Sequence, residues 1–319
     1  MQPDLNVIRA AEDIVYAAMP PTPQYCWPLL CELLGTEVWA KHENHTPVGA
    51  FKIRGGLVYF SHYAQTGALR NGVISATRGN HGQSLGFAAK LYGVPATVVV
   101  PHGNSREKNA AMRALGVKII EHGDDFQAAR EQAMRIAQAR DLHMMPSFHS
   151  LLVNGVATYS HELLKAVRDL DFVYVPIGLG SGICGMVAVR DALGLKTKIV
   201  GVVSAHAKAY AESFVAGRVV ESNANTKLAD GMACRVPEPE ALAIIRQGVE
   251  RIVTVTDAEV AVAMQKLFEC THNTCEGAGA AATAAVIKER SELAGRKVAV
   301  IISGGNVDRT VFASVLGGG

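Results

Sequence analysis

The stretch FVYVPIGLGSGICGMVAV, residues 172–189, decides the fold. It is uncharged, and at about 18 residues it reaches the lower limit for a membrane-crossing helix. Pro176 and the glycines at 178, 180, 182 and 185 interrupt it, so strand, glycine-rich loop and helix is the better reading. A strand this uniformly apolar belongs to a parallel sheet covered on both faces. Further strands are expected on either side at 36–41, 72–75, 96–100, 118–121, 198–203 and 297–302, with the central one at 172–177. Helical segments alternate with them at 81–92, 105–115, 124–140, 155–167, 182–193, 257–271 and 277–289. In the segment 124–140, Phe126, Ala129, Ala133 and Ile136 share one face, with charges opposite. Such alternation predicts an α/β fold with open parallel sheets. The block 70–148 holds several βα units of its own. It is expected to be a small domain inserted in a larger one made of residues 1–69 and 149–319.

Composition narrows the function classes. The chain has 319 residues, with 31 Lys and Arg against 29 Asp and Glu. A net charge of +2 gives no extended footprint for nucleic acid, which needs clustered excess cations. Six cysteines form no C-x-x-C pair, and a chain of this length needs no disulfide framework. The first residues, MQPDLNVIRAAEDI, carry acids and lack the apolar core of a signal peptide. The expectation is a soluble protein of the reducing cytoplasm with no membrane or nucleic-acid partner. Glycine is in surplus, 31 residues where about 7% is usual, which directs the search to backbones that approach something closely.

Ligands of open α/β sheets bind beyond the carboxyl ends of strands, so the strand exits carry the functional signal. The loop Gly178, Leu179, Gly180, Ser181 and Gly182 presents backbone N–H groups and a helix N-terminus, both suited to a phosphate. Gly180, Gly182 and Gly185 also match the G-x-G-x-x-G dinucleotide pattern. That reading expects an acid at the end of the next strand, and this one ends Val202, Val203, Ser204, Ala205. A monophosphate without ribose fits better, beside the plainer reading of a glycine-rich turn. A second exit, Ser75 to His81, is dense in small polar donors able to bind a carboxylate, although Ser75 or Thr77 could equally cap the following helix. A third, Ser303-Gly304-Gly305-Asn306, could place a hydroxyl against a planar ligand or be a tight turn. A fourth feature, GAFKIRGG at 49–56, sets Lys52 between Phe51 and Ile53. Most lysines are surface charges, but one held among apolar neighbours has a depressed pKa and becomes a nucleophile able to form an imine.

Taken in order, F-K-x-R-G, S-x-x-x-G-N-H-G-Q, the glycine-rich loop and S-G-G-N resemble the fold-type II pyridoxal-phosphate enzymes, in the threonine/serine dehydratase and serine racemase group. The resemblance runs from about Ala40 to Asn306. It implies two parallel-sheet domains of tryptophan synthase β type, with pyridoxal 5'-phosphate as cofactor and a homodimer as assembly. Lys52 would hold the cofactor as an imine and then remove the substrate α-proton, with Phe51 beside it. Asn80 would bond the cofactor's phenolic oxygen, residues 178–182 would cradle its phosphate, and Ser303 would face the pyridine nitrogen. Glu276, in C-E-G-A-G-A, matches a family position near the cofactor. Ser75, Thr77, Gly79 and His81 would surround the substrate carboxylate. The implied reaction is β-elimination from an L-3-hydroxy amino acid to a 2-oxo acid and ammonia, with threonine and serine as default substrates.

Departures from the family pattern sharpen the expectation. Racemases carry a serine immediately before G-N-H; here Arg78 stands there, which counts against racemisation. Arg78 could form a surface ion pair or meet an acidic substrate such as 3-hydroxyaspartate; phenylserine is a further alternative. Metal-activated members place carboxylates just after the strand at 198–203, where this chain reads Ser204, Ala205, His206, Ala207, Lys208, so no divalent metal is expected. His149 would line the side-chain pocket or cap its segment. Because the chain ends soon after Asn306, the regulatory domain of biosynthetic threonine deaminases is not expected. Two other classes remain open: a nucleotide-dependent oxidoreductase using residues 180–185, and a non-catalytic sensor that keeps the cofactor.

Overall fold

The computed structural model describes residues 3–318. Residues 1, 2 and 319, at the ends of the expected large domain, lie outside the described residues. The strands are β1 (Gln24–Cys26), β2 (Glu37–His42), β3 (Val73–Ala76), β4 (Ala96–Val100), β5 (Lys118–Glu121), β6 (His143–Met144), β7 (Phe172–Pro176), β8 (Lys198–Ser204), β9 (Val249–Val255) and β10 (Lys297–Ile302). They form a six-stranded sheet in the order β1-β2-β10-β7-β8-β9 and a four-stranded sheet in the order β5-β4-β3-β6. Only the edge pair β1–β2 is antiparallel. The fold is α/β with two parallel-sheet domains.

The period-two geometry of a strand explains the uninterrupted apolar runs. In β7, Val173 and Val175 enter the core on one face of the large sheet, and Tyr174 enters the core on the other. In β10, Ala299 and Ile301 join the first core, while Val298, Val300 and Ile302 join the second. Helices Ser150–Ala166 and Ser181–Ala192 cover one face; helices Asp257–Thr271 and Gly277–Lys288 cover the other.

Helix Lys52–Gln65 joins the two halves of the molecule. Ile53, Leu57 and Val58 pack with Ala11, Val15 and Met19, whereas Tyr59 and Phe60 pack with Val73, Leu85 and Val98 of the small sheet. It crosses helix Ser150–Ala166 at a glycine contact. A Cβ on Gly155 would collide with the Arg54 carbonyl, and one on Gly55 would lie 2.8 Å from that of Leu152. Arg54, fully buried, fixes the first turn from behind. Its guanidinium donates to Glu43 at 2.7 and 3.0 Å, to Glu162 at 2.6 and 3.0 Å, and to Thr158 Oγ1 at 2.9 Å. Lys41, also buried, pairs with Glu162 and donates to the Thr22 carbonyl at 2.6 Å. Two cations and two carboxylates therefore balance in the interior.

Elements outside the sequence expectation have physical explanations. β9 carries Glu250, Arg251 and Thr254 as an edge strand, so it lacks an apolar run. β1 and β6 span three and two residues, too short for periodicity to register. The amphipathic helix Leu5–Tyr16 is capped by Asp4 Oδ1, which accepts from Asn6 N and Val7 N at 2.9 Å each.

Candidate active site

A cavity of about 140 Å³ lies beyond the carboxyl ends of β3 and β7, between the two sheets. Its walls include Lys52, the β3 exit Thr77, Arg78, Gly79, Asn80 and His81, and the β7 exit Gly178 and Leu179. Two motifs far apart in sequence meet behind Lys52. Phe51 N donates to the Ser303 carbonyl at 3.1 Å, Gly305 N donates to the Gly49 carbonyl at 2.8 Å, and Ala50 forms an antiparallel bridge with Gly304. This zipper seats the lysine at the N-terminus of its helix, beside the exit of β10.

Lys52 is half-buried, and its Nζ lies 4.8 Å from the Phe51 ring centroid. It makes no side-chain hydrogen bond or ion pair among the described residues. Burial pushes its pKa down to about 8, partly opposed by the Glu276 carboxylate. His81 is buried with Nε2 unpartnered; burial and the Lys52 charge push its pKa down to about 3, so the ring is neutral. Asn80 opens helix Asn80–Leu91 and is held at both ends of its amide. It donates to Glu276 Oε1 at 2.6 Å and accepts from Asn306 Nδ2 at 2.9 Å, leaving one N–H uncommitted. The Thr77 hydroxyl accepts from Gly79 N at 3.1 Å and shapes the turn. Arg78 is exposed on the cavity wall.

Helix Ser181–Ala192 begins without a capping side chain, so its first N–H groups face the loop unclaimed. Gly180 holds φ at +101°, and a Cβ there would lie 2.8 Å from that of Ala241. A Cβ on Gly178 would lie 2.5 Å from the Gly231 carbonyl, and one on Gly182 3.0 Å from Tyr159 Oη. Positions 178, 180 and 182 therefore exclude a Cβ, with Leu179 and Ser181 between them. Ser303 is buried, and its hydroxyl makes no hydrogen bond among the described residues.

Among the expected residues off the cavity wall, which also include Phe51, Gly180, Ser181, Gly182, Glu276 and Ser303, Ser75 and His149 are engaged elsewhere in the protein. The Ser75 hydroxyl donates to the Met145 carbonyl at 2.9 Å, tying β3 to the chain beyond β6. His149 caps helix Ser150–Ala166: Nδ1 accepts from Leu151 N at 3.1 Å, and the ring meets Tyr59 edge-on at 5.3 Å. Of the wall residues outside the expected site, two are charged, Lys108 and Asp230. Lys108 Nζ lies 2.9 Å from Asp230 Oδ2 and 3.3 Å from Glu276 Oε2, and its stem packs on Gly79. Burial alone would lower its pKa, but Glu276 and Asp230 outweigh that and raise it, so the ammonium persists. The signal lay in the helix Arg106–Ala114, where Lys108 shares a face with buried Met112 one turn on. Among the described residues no group of three or more His, Cys, Asp or Glu side chains could hold a metal ion; Lys208, after β8, is exposed.

An unpaired amine of depressed pKa, an uncapped helix terminus behind a loop whose positions 178, 180 and 182 admit no Cβ, and the orphaned Nε2 of His81 suit a ligand carrying a phosphate and a carbonyl. Fold and site together define a two-domain α/β protein whose cavity suits a phosphorylated cofactor. Residues 16–304 match the family described as Pyridoxal-phosphate dependent enzyme, and the chain belongs to that family, with pyridoxal 5'-phosphate as its cofactor. It is 32% identical over 292 residues to the L-threonine ammonia-lyase of Thermotoga maritima, covering 91% of this chain and 72% of that one. It is also 32% identical over 298 residues to the L-threo-3-hydroxyaspartate ammonia-lyase of Saccharomyces cerevisiae, covering 93% and 91%. Among solved structures, the processed form of threonine deaminase isoform 2 from Solanum lycopersicum superposes with a TM-score of 0.90. It is 26% identical, with 98% of this chain and 94% of that chain covered.

Proposed function

We propose that this protein is an ammonia-lyase that converts an L-3-hydroxy amino acid to a 2-oxo acid and ammonia by β-elimination. The observation that carries the reading is Lys52 itself: an amine of depressed pKa, without a partner among the described residues, on the wall of a cavity shared with the β3 and β7 exits. When bound, the cofactor supplies an electron sink for charge developing at the substrate α-carbon.

The chain's own groups do the rest. Gly178, Leu179, Gly180, Ser181 and Gly182 receive the phosphate on backbone N–H groups. Asn80, steadied by Glu276 and Asn306, bonds the phenolic oxygen with its spare N–H. Ser303 offers the pyridine nitrogen a neutral hydroxyl, and Phe51 flanks the lysine. Thr77, Gly79 and neutral His81 take the substrate carboxylate, and Lys52 Nζ takes the α-proton. Hydrogen and hydroxyl leave together as water. Readdition of water to the released enamine then expels ammonia, so the sum is hydroxy amino acid to 2-oxo acid plus ammonia.

In this reading residues 1–69 and 149–319 carry the cofactor, while the inserted residues 70–148 carry the carboxylate loop. The enzyme acts as a homodimer in the cytoplasm without a divalent activator. Racemisation is disfavoured, because Arg78 has no hydroxyl to reprotonate the second face of the substrate. Purified holoenzyme offered threonine, serine, phenylserine and 3-hydroxyaspartate tests the proposal. Formation of 2-oxo acid from at least one supports it; a yellow holoenzyme that forms none from any would overturn it.

A further inference from the structure

The cations on the cavity wall do not have the same freedom. Lys108 is committed to Asp230 at 2.9 Å and Glu276 at 3.3 Å, and its stem is packed on Gly79. Lys52 is reserved for the cofactor, and His81 is neutral. Arg78 alone among these is exposed, and its guanidinium makes no ion pair or side-chain hydrogen bond among the described residues. It stands between Thr77 and Gly79, on the loop that takes the α-carboxylate. The one carboxylate on the same wall with appreciable exposure, Asp230, is already neutralised by Lys108.

We infer that Arg78 is the specificity-determining residue of this site and receives a second carboxylate, so that the preferred substrate is a 3-hydroxy amino acid whose side chain ends in a carboxylate. The inference rests on the lyase reading above and deepens it. A guanidinium offers a planar fork that meets a carboxylate with two parallel N–H donors, a geometry a lysine cannot reproduce. Threonine or serine leaves that fork facing water and gains nothing from it. A dicarboxylic substrate divides its two charges, one to the Thr77–His81 turn and one to Arg78. The committed Lys108 holds Asp230 back from opposing the second charge.

Two measurements on the holoenzyme separate this inference from its parent. The first is the ratio of kcat/KM for L-threo-3-hydroxyaspartate to that for L-threonine, in the native protein, Arg78→Ala and Arg78→Lys. The second is calorimetric affinity for succinate against butyrate, which differ in one carboxylate and undergo no elimination. The ratio is expected to favour the dicarboxylate at least tenfold and to fall at least tenfold in Arg78→Ala, chiefly through KM, with partial recovery in Arg78→Lys. Succinate is expected to bind at least tenfold more tightly than butyrate, and the difference is expected to vanish in Arg78→Ala. Turnover with a ratio that Arg78→Ala leaves unchanged would overturn the inference and spare the lyase reading. Equal losses on both substrates would also overturn it, by placing Arg78 on the α-carboxylate. A succinate preference that depends on Arg78, in a holoenzyme that turns over neither substrate, would uphold the anion site and overturn the lyase reading.

Discussion

Lys108 Nζ stands 2.9 Å from Asp230 Oδ2 and links helix Arg106–Ala114, beside the small sheet, to the short 3-10 turn Asp230–Met232 across the cavity. The same ammonium reaches Glu276 at 3.3 Å, and the neighbouring Arg309 N donates to Glu107 Oε1 at 3.0 Å. The start of one helix thus fastens the small sheet's unit to the large one over the site. Breaking a fully buried pair by removing one partner costs about 3–5 kcal/mol, but Asp230 is partly exposed, so about 2 kcal/mol is the fitting scale here. Lys108→Met should lower unfolding free energy by about that amount and raise KM more than it lowers kcat. In urea titrations, Lys108→Met combined with Asp230→Asn should cost less than the sum of the two single changes. Full additivity would show that the pair does not act as a clamp.

The depressed pKa of Lys52 has a kinetic signature. Only the neutral amine adds to an aldehyde, and the neutral form dominates above the pKa. With that pKa near 8, cofactor uptake by the cofactor-free protein should accelerate with pH and level off above about 8. An exposed lysine would show its midpoint above 10. Stopped-flow absorbance from pH 6 to 10 measures this; a rate still climbing steeply at pH 10 would contradict the burial of Lys52.

The buried network around Arg54 predicts an acid-side stability change. Burial alone would raise the pKa of Glu162, but Arg54 and Lys41 override it and lower it. A carboxyl lowered in the folded state contributes stability that is complete above its unfolded pKa, near 4.5, and is lost as pH falls through the folded value. Glu162→Gln should therefore be less stable than the native protein at pH 7, with the difference shrinking below about pH 4. Arg54→Met, which leaves Glu43 without its cation and Glu162 with Lys41 alone, should cost about 3–5 kcal/mol at pH 7 by chemical denaturation. A cost under 1 kcal/mol would mean that the network relaxes without it.

Gly180 combines φ of +101° with a Cβ position 2.8 Å from that of Ala241. Gly180→Ala should reshape the anion cradle and weaken cofactor binding at least tenfold while the far-UV spectrum stays native. Unchanged affinity, measured by absorbance titration, would place the phosphate elsewhere.

The apolar strands and the four motifs were legible in the chain because each depends on local chemistry: a period of two, a helix start, a glycine where no Cβ fits. β7 and β10 matched their expected spans to within a residue. β9 was hidden because an edge strand with one wet face keeps Glu250 and Arg251 among its residues. Ser75 and His149 carry polar groups suited to a ligand, yet Met145 and Leu151 engage them within the protein, a choice made by neighbours distant in sequence or by helix capping. Lys108 and Asp230 are 122 positions apart, and no spacing rule connects them. The network at Arg54 has the same character: F-K-x-R-G marks the arginine, but only the fold supplies Glu43 and Glu162.

The claim that Lys52 carries the cofactor is tested most directly by reducing the yellow holoenzyme with borohydride and mapping the modified peptide by mass spectrometry. The account predicts one added reduced cofactor per chain, on Lys52, with no labelling and no visible band in Lys52→Ala. A label on another lysine, or a protein that takes up no cofactor, would contradict it.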